Sequence, residues 1–457
     1  MKAAVKIDLH KNRKRWFVNT DTTASLTQRY RIGQRVAEGK TKTIYGVLDD
    51  PNLAILVSKD DITAGNGKKY DILPGKARLA NRTTCNVFRL LKECEIPLAF
   101  IEQDSIGSFV ARKCNMLPYE VVVRREAHGS YLKRHPHLTK GQLLPRLEVE
   151  FFLKTSGGIW KKHTLPCDDP LMSHDRQAAE IKLYDPTSPH YNDPKPFLSL
   201  YEMEVFQDID EWMHFAKMES IARKVFLILE KAWQIESRTL VDIKLEFGLA
   251  GDKLLLADVI DNDSWRVLEN GENIDKQTYR DGDTVENVVA NYTKVAYTTD
   301  NFRLPRQQII LWRGSENNDL QKFEAALGQF KSMLTVVTCS THKEPLRAIA
   351  TLHKAAHAIP DSVVIAYIGK SNGAGPTLSA ASTIPVITVP ATASEHAEDV
   401  WSSLRTPSTT PVMTVLDPGN AALAALHILS ARNPHIYAHV REIIEQRMKN
   451  TIYMNII

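Results

Sequence analysis

The sequence is poor in cysteine, and its cysteines are not arranged to bridge one another or to hold a metal ion. The 457 residues include five cysteines, an odd number, and no two of them have CxxC spacing. This pattern disfavours both a disulfide framework and a structural zinc site. We therefore expect the protein to work in a reducing compartment, the cytoplasm. The cysteines are Cys85, Cys94, Cys114, Cys167 and Cys339.

The sequence also lacks long apolar runs and a strong net charge. No run reaches the about 18 apolar residues that a membrane-spanning helix needs, so we expect no membrane insertion. A net charge of +4 is too small to predict nucleic-acid binding, although it suits small anionic substrates. Residues 1–29 are basic near their start but lack the apolar core of a secretory signal, and are predicted to form a flexible tail, with a nuclear signal as the alternative.

The length of the chain predicts two domains. Residues 30–283 open with alternating strands and a helix, which is typical of an α+β domain with antiparallel sheets. Apolar density then falls, and residues 284–306 are predicted to be a linker. In residues 307–457 strands alternate with helices, which predicts an α/β domain with a doubly wound, parallel, Rossmann-like sheet. Ligands bind such sheets in the loops that follow the strands.

The segment VDIKLEFG, Val241 to Gly248, has charged residues where a buried strand should be apolar. Alternation along an extended chain places Lys244 and Glu246 on one face and the apolar residues on the other. If residues 248–253 turn the chain back, an antiparallel hairpin brings Asp258 near Glu246, on the same face if the register has the right parity. Two carboxylates beside a lysine favour a magnesium–nucleotide site, and a solvated strand face is the alternative.

A second group of candidates is basic. Gly39 and Lys40 do not form a Walker motif, because five residues rather than four separate Gly33 from Gly39 and a strand pattern follows. Lys40 and Lys42 are instead predicted to project from one face of a strand toward nucleotide phosphates. The cluster that starts at Arg124 follows an apolar strand and is predicted to anchor a phosphate, with a solvated patch as the alternative.

Two loops complete the candidates. Asp61 begins the segment DITAGNG, whose small residues suit a loop that lets a ligand approach the backbone, although an ordinary turn would look similar. In the second domain GKSNGAG, residues 369–375, follows a buried strand and could direct backbone N–H groups at an oxyanion. His342, beside Lys343 in another loop after a strand, is predicted to carry a proton near neutral pH.

These segments together resemble two enzyme families. EGKTKTIY, DITAGNG, VVRREAHGSYLKR and LVDIKLEFG with LADVIDNDSWR resemble phosphoribosylaminoimidazole-succinocarboxamide synthases, over about residues 30–283. STHK, GKSNGAGP and DVWSSLR resemble phosphoribosylaminoimidazole carboxylases, over about residues 307–450. Their order is similar to that of the bifunctional purine-biosynthesis enzymes of animals.

The first resemblance implies an ATP-grasp-like synthase domain. ATP would activate the carboxylate of the carboxylated aminoimidazole ribotide, and the amine of L-aspartate would then displace phosphate. The resemblance implies that Lys40 and Lys42 bind the ATP phosphates and that Glu246 and Asp258 bind Mg²⁺ and ATP. Lys244 would neutralise charge that develops during transfer. The ribotide would be bound by Arg124, Ser130 and Arg266, with Asp61 in the neighbouring loop.

An aspartate–proline motif of the same family has two candidates here. Asp169-Pro170 and Asp193-Pro194 both lie in residues 155–196, which we interpret as a long surface excursion. The distance of Asp193 from Trp233 favours Asp193.

The second resemblance implies addition of CO₂ to C4 of aminoimidazole ribotide, without ATP or biotin, in a homo-oligomer that is usually an octamer. His342, with Lys343 beside it, would transfer the proton, and Ser371, Asn372 and Gly373 would line the pocket. The loop at 314–319, Lys370 and residues 379–381 depart from the family pattern. An active synthase with a degenerate carboxylase domain that serves as an oligomerisation scaffold is therefore the alternative, and a non-enzymatic nucleotide-binding adaptor is a more distant one.

The substitution Glu246→Gln should separate the two activities. Loss of the carboxylate that holds Mg²⁺ should reduce ATP-dependent turnover by on the order of 100-fold or more. Carboxylation of aminoimidazole ribotide without ATP should persist. Aspartate-dependent ADP release and ATP-free carboxylation, measured on one preparation, check this, and equal loss of both would contradict separate sites.

Overall fold

The structure of the protein is a computed structural model that describes residues 29–64, 69–155, 157–175, 177–189, 195–206, 209–316, 320–371 and 373–454. The predicted tail, apart from Arg29, lies outside the described residues, and so do Asp193 and Asn372. Within the described residues no helix combines the length and the apolar character needed to cross a membrane.

The strands are β1 (Ile32–Glu38), β2 (Lys42–Val47), β3 (Asp50–Ser58), β4 (Asp61–Ala64), β5 (Lys69–Ile72), β6 (Phe100–Gln103), β7 (Ser108–Arg112), β8 (Asn115–Glu126), β9 (Leu143–Leu153), β10 (Ile159–Trp160), β11 (His163–Thr164), β12 (Leu171–Asp175), β13 (Glu180–Tyr184), β14 (Leu198–Tyr201), β15 (Thr239–Ala250), β16 (Lys253–Ala257), β17 (Trp265–Glu269), β18 (Glu272–Asn273), β19 (Gln308–Arg313), β20 (Leu334–Thr338), β21 (Ser362–Ile368), β22 (Val386–Pro390) and β23 (Met413–Thr414).

The α-helices are α1 (Lys76–Glu93), α2 (Ser130–Arg134), α3 (Glu202–Val205), α4 (Ile209–Ile235), α5 (Gln277–Arg280), α6 (Val285–Thr299), α7 (Gln321–Leu327), α8 (Pro345–Ala358), α9 (Ala374–Ala380), α10 (Trp401–Leu404), α11 (Pro418–Ser430) and α12 (Pro434–Met454). Two 3-10 helices span Gly328–Met333 and Ala397–Val400.

Two large antiparallel sheets form most of the N-terminal part of the chain, as predicted, and β4-β5 and β10-β11 form two further two-stranded sheets. The smaller of the two large sheets has the strand order β1-β2-β3-β7-β6, and the larger has the order β14-β13-β12-β9-β8-β15-β17-β18, with β16 paired to β15. Helices α1 and α4 pack on these sheets and share one apolar core, which includes Phe88, Phe226 and Trp233. The core leaves one face of β15 free to carry polar side chains.

Residues 284–306 differ from the predicted linker because they contain helix α6. Thr284 caps its start by accepting a hydrogen bond from the Asn287 N–H (3.3 Å), and the helix packs against α1. Its buried face includes Tyr292, whose hydroxyl donates to Asp263 (2.5 Å). Because only one face of α6 is apolar, its average apolar density is low and the sequence reads as a connection.

Residues 155–196 also differ from the predicted surface excursion. Strands β12 and β13 in this segment extend the larger sheet, with β12 paired to β9 and β13 paired to β14. Leu171, Met172, Ile181 and Leu183 are buried. The strands are short and separated by turns, so their alternation is difficult to recognise among the surrounding Pro, Gly and Asp residues.

The C-terminal part of the chain has the predicted doubly wound architecture. Its five strands are all parallel and have the order β20-β19-β21-β22-β23. One apolar cluster joins the sheet to α7, α11 and α12, and another joins its opposite face to α8 and α9. Helix α7 ends at Leu327, because Gly328, with a φ of +52°, interrupts the α-helix before a 3-10 helix.

Helix α12 returns from the second domain and packs along α4 of the first. Ala438 joins the core of the first domain, and the Tyr437 hydroxyl donates to Glu230 of α4 (2.9 Å). Nearby, Arg125 of β8 donates to Glu445 of α12 (2.9 Å). The two domains are thus joined by buried apolar and ionic contacts.

His435, at the start of α12, should make the protein sensitive to acid. Burial, assisted by Lys224, lowers the pKa of His435 to about 4, from about 6.5 in the unfolded chain. Below pH 6.5 the unfolded chain therefore binds a proton that the folded protein does not. The free energy of unfolding should be unaffected by His435 above pH 6.5 and should fall as the pH falls toward 4, by at most about 3 kcal/mol. The free energy of unfolding, measured across this range, should vary less in His435→Gln, whereas the exposed His427→Gln should behave as the wild type.

Candidate active sites

A polar cavity of about 640 Å³ lies over the charged face of β15. It gathers the residues that were predicted for the first domain, apart from Asp61. The predicted residues that line the cavity are Lys40, Lys42, Arg124, Ser130, Lys244, Glu246, Asp258 and Arg266. Asp242 and Asp263 also line it, and so do three residues that were not predicted, Glu120, Lys276 and Arg280.

The cavity exists because β15 alternates as predicted. Its apolar side chains at 241, 243, 245 and 247 are all buried in the core. On the opposite face Lys244 lies between β8 and β17, and its Nζ donates to Glu120 of β8 (2.8 Å) and to Glu246 (3.2 Å). Burial alone would lower the pKa of Lys244, but Glu120 and Glu246 outweigh it and raise that pKa.

The predicted hairpin between β15 and β16 forms, with a tighter turn than residues 248–253, and the structure gives the register that the sequence left open. Glu246 pairs with Ala257, so Asp258 lies one residue beyond the end of the ladder. A regular strand would point Asp258 to the other face. Instead Asp258 adopts a left-handed conformation, φ +63°, and lines the same cavity as Glu246. Such a conformation is costly for a residue other than glycine and is concentrated at functional sites.

Glu246 is held as a carboxylate by two lysines. It accepts hydrogen bonds from Lys154 (2.7 Å) and Lys244 (3.2 Å). Burial would raise the pKa of Glu246, but the two lysines outweigh burial and lower it. Lys154 was missed because it follows β9 in a segment without clear periodicity.

Glu246 and Asp258 are chemically suited to Mg²⁺. The described residues contain no cluster of three or more His, Cys, Asp or Glu side chains that could enclose a metal ion. Mg²⁺ commonly takes one or two protein carboxylates and completes its shell with water and substrate phosphates. Two ionisable carboxylates that open into a cavity lined by Lys40 and Lys42 fit that pattern.

Arg124 and Arg266 share a carboxylate. Asp242 accepts a hydrogen bond from each of them at 2.9 Å, and Glu150 accepts another from Arg124 at 2.6 Å. Burial would lower the pKa of Arg124, but Glu150 and Asp242 raise it. This network fixes two guanidinium groups at one end of the cavity.

Gly129 makes that end of the cavity accessible to Arg266. A Cβ at this position would lie 3.0 Å from a guanidinium nitrogen of Arg266, and the φ of +57° disfavours any other residue. Helix α2 begins at the next residue, Ser130, which also lines the cavity. The glycine in the predicted basic cluster therefore has a steric role.

Asp61 has other partners. Its carboxylate accepts a hydrogen bond from the Tyr70 hydroxyl (2.6 Å) and lies 3.6 Å from Lys59. It does not line the polar cavity, although Thr63 of the same strand does. The rest of the predicted loop, residues 65–67, lies outside the described residues.

A second cavity, of about 360 Å³, adjoins the first and is mainly apolar. Lys42, Glu246 and Asp258 line both cavities, and Lys154 lines the second cavity beside Glu246. The smaller sheet and the start of β8 supply the apolar walls, which include Val36, Ile44, Ala54, Leu56, Phe100, Phe109, Cys114 and Met116. Its size and lining suit a flat aromatic ring next to a charged group. In the sequence this cavity is marked only by alternating apolar residues, which are equally typical of strands in a hydrophobic core.

In the second domain the structure brings His342 to the glycine-rich loop. A Cβ at Gly373 would lie 2.8 Å from His342 Nε2, so glycine is required for the imidazole to lie this close. Both loops follow the carboxyl ends of parallel strands, β20 and β21, which lie on either side of β19 in the sheet. Ser371 lies in the same place, with its hydroxyl 3.9 Å from that Cβ position.

The residues that depart from the family pattern have structural contacts of their own. The backbone N–H of Lys370 donates to Thr392 (2.8 Å), with a φ of +55° at Lys370. The hydroxyl of Ser379 donates to the Pro411 carbonyl. Lys343 is exposed, and its backbone N–H donates to Ser340 (3.3 Å). Asn372 and residues 317–319 lie outside the described residues.

The fold and its sites define the class of protein: a two-domain enzyme with a ligase domain and a carboxylase domain. A SAICAR synthetase family model matches residues 35–298, and an AIR carboxylase family model matches residues 308–450. The chain therefore belongs to the family of bifunctional phosphoribosylaminoimidazole carboxylase/phosphoribosylaminoimidazole succinocarboxamide synthetases of purine biosynthesis.

Relatives with both parts align over nearly the whole chain. The bifunctional enzyme of Drosophila melanogaster is 33% identical over 437 residues, which cover 93% of this chain and 95% of that protein. The Homo sapiens enzyme is 34% identical over 428 residues, with coverage of 90% and 93%. A phosphoribosylaminoimidazole-succinocarboxamide synthase of Chloroflexus aurantiacus is 40% identical over 277 residues and covers 59% of this chain and 96% of that protein.

Lys42 should make nucleotide binding depend on pH. Burial lowers the pKa of Lys42 to about 8, although Glu246 and Asp261 oppose this effect. Because a phosphate-binding lysine must be charged, kcat/KM for ATP should fall as the pH rises through 8, by about tenfold near pH 9. Lys42→Arg should flatten this profile, since arginine stays protonated. An unchanged pH profile in the variant would contradict this role for Lys42.

Proposed function

We propose that the two cavities of the first domain bind ATP across the Glu246–Asp258 pair. The apolar cavity takes the adenine ring, and Lys40 and Lys42 hold the phosphates in the polar one. Glu246 and Asp258 would hold Mg²⁺, and the bound ion would supply positive charge that offsets the charge of the phosphates. The observation that carries this proposal is that the two carboxylates line both cavities.

The other end of the polar cavity takes the carboxylated aminoimidazole ribotide. Arg124 and Arg266, fixed by Asp242, and Ser130 at the start of α2 bind its anionic groups. Asp61 is a weaker candidate, because its carboxylate is engaged by Tyr70.

The ligase reaction follows from this arrangement. The substrate carboxylate attacks the γ-phosphorus of ATP, ADP leaves, and an acyl phosphate forms. The amine of L-aspartate then attacks the acyl carbon, the C–N bond forms, and phosphate leaves. Lys244 neutralises the negative charge that develops in both steps, and its raised pKa keeps it protonated.

In the second domain we propose that aminoimidazole ribotide is carboxylated without ATP or biotin. A bond forms between C4 of the imidazole and the carbon of CO₂, and the proton lost from C4 passes to His342. Ser371 and Gly373 line the pocket, with Lys343 in the neighbouring loop, and Asn372, which the sequence also predicts for this pocket, lies outside the described residues. The close approach of His342 and Gly373 carries this proposal.

The assignment of domains follows the same reasoning. We propose a synthase domain of residues 30–283, to which α6 adds up to Thr299, a short connection, and a carboxylase domain of residues 307–457. The carboxylase domain mediates assembly of a homo-oligomer, an octamer, in the cytoplasm. Exposed apolar side chains of this domain, which include Leu346, Trp401 and Leu416, support an assembly surface. Neither nucleic acid nor membrane is a proposed partner.

The substitution His342→Asn tests the second activity. It should reduce ATP-free carboxylation by on the order of 100-fold, because general acid–base catalysis is lost. Succinocarboxamide synthesis from supplied carboxylated ribotide should be unchanged. His357→Asn, on the exposed side of α8, is the matched control. Absence of carboxylated product from the wild-type protein would instead favour the degenerate scaffold.

A further inference from the structure

Helix α12 places a buried carboxylate behind the sheet of the synthase site. Glu445 and Arg125 form an ion pair of 2.9 Å in which the two side chains are only 7% and 6% exposed. Arg125 also binds Glu230 of α4, at 2.7 Å. Glu445 belongs to the carboxylase family region, whereas Arg125 and Glu230 belong to the synthase region.

Glu445 supplies a hydrogen-bond acceptor at an irregularity in the larger sheet. Strands β8 and β9 pair regularly as far as Arg124 and Glu148, and the next pair is Glu126 with Leu143, so residues 144–147 have no ladder partners. Leu147 is buried, and its N–H would lack an acceptor there. The second oxygen of Glu445 accepts that hydrogen bond at 3.1 Å.

This irregularity lies directly beside the proposed ribotide-binding arginine. Arg124 and Arg125 are neighbours in β8 and point to opposite faces, Arg124 toward the polar cavity and Arg125 toward α4 and α12. Arg124 is in turn oriented by Glu150, three residues after Leu147 on β9. Glu445 therefore connects both strands that determine where Arg124 lies.

We propose that Glu445 is a positioning residue for the synthase reaction. By bonding Arg125 on β8 and Leu147 on β9, it holds the bulge in the conformation that places Arg124 for the ribotide. The carboxylase domain thereby contributes to the affinity of the synthase domain for its substrate. This inference rests on the proposed role of Arg124.

Kinetics of Glu445 variants test the proposal. Glu445→Ala should raise the synthase KM for carboxylated ribotide about tenfold, with little change in kcat or in the KM for ATP. Glu445→Gln, which keeps an acceptor for Leu147, should recover part of the loss. The exposed neighbour Gln446→Ala is the control, and ATP-free carboxylation should be unchanged in all three. A fall in kcat alone, or an unchanged KM, would overturn the proposal.

A second measurement does not depend on the proposed activity. Hydrogen exchange of the segment 143–150 should be faster in Glu445→Ala than in the wild type or in Gln446→Ala, because the Leu147 N–H loses its acceptor. Unchanged exchange would refute the structural role of Glu445. Faster exchange in a protein without synthase activity would instead refute the proposed function and leave the structural role intact.

Discussion

Strand β15 has one face that must be buried and another that carries charge, and the first domain depends on this combination. Its four apolar side chains, at 241, 243, 245 and 247, are all buried. Their burial contributes on the order of 6–12 kcal/mol. A shift of one residue in register would expose all of them and bury Lys244 and Glu246, so the register is strongly determined. The apolar face thus places the charged face in the cavity.

The charged face is stable without ligand because its carboxylates and lysines neutralise one another. Glu246 lies between Lys154 and Lys244, and Lys42 contacts Asp258. Partly buried ions without partners would cost several kcal/mol each. In the proposed reaction, phosphates and Mg²⁺ take over these partners, so binding exchanges one set of ion pairs for another. The charged groups of the cavity are therefore already positioned before the substrates bind.

Buried ion pairs also connect the two domains. Glu445 of α12 and Glu230 of α4 surround Arg125, one residue from Arg124. The connection is ionic and buried, and removal of Glu445 would leave Arg125 with Glu230 alone and the Leu147 N–H group without its acceptor. The site of the second domain depends less on charge than on the short distance between His342 and the glycine-rich loop. A side chain at Gly373 would displace the imidazole.

The sequence alone determined the features that depend on local pattern. Alternation in β15, the change from antiparallel strands to alternating strands and helices, and the loops of His342 and Gly373 follow from periodicity and from the chemistry of neighbouring residues. Only the tertiary structure decided the left-handed turn at Asp258, the place of Lys154 beside Glu246, the apolar cavity and the contact of Glu445 with β8 and β9. Helix α6 and strands β12 and β13 were also beyond the sequence pattern. In each case the decisive partner is distant in sequence or the local signal is too short, so no periodicity records the contact.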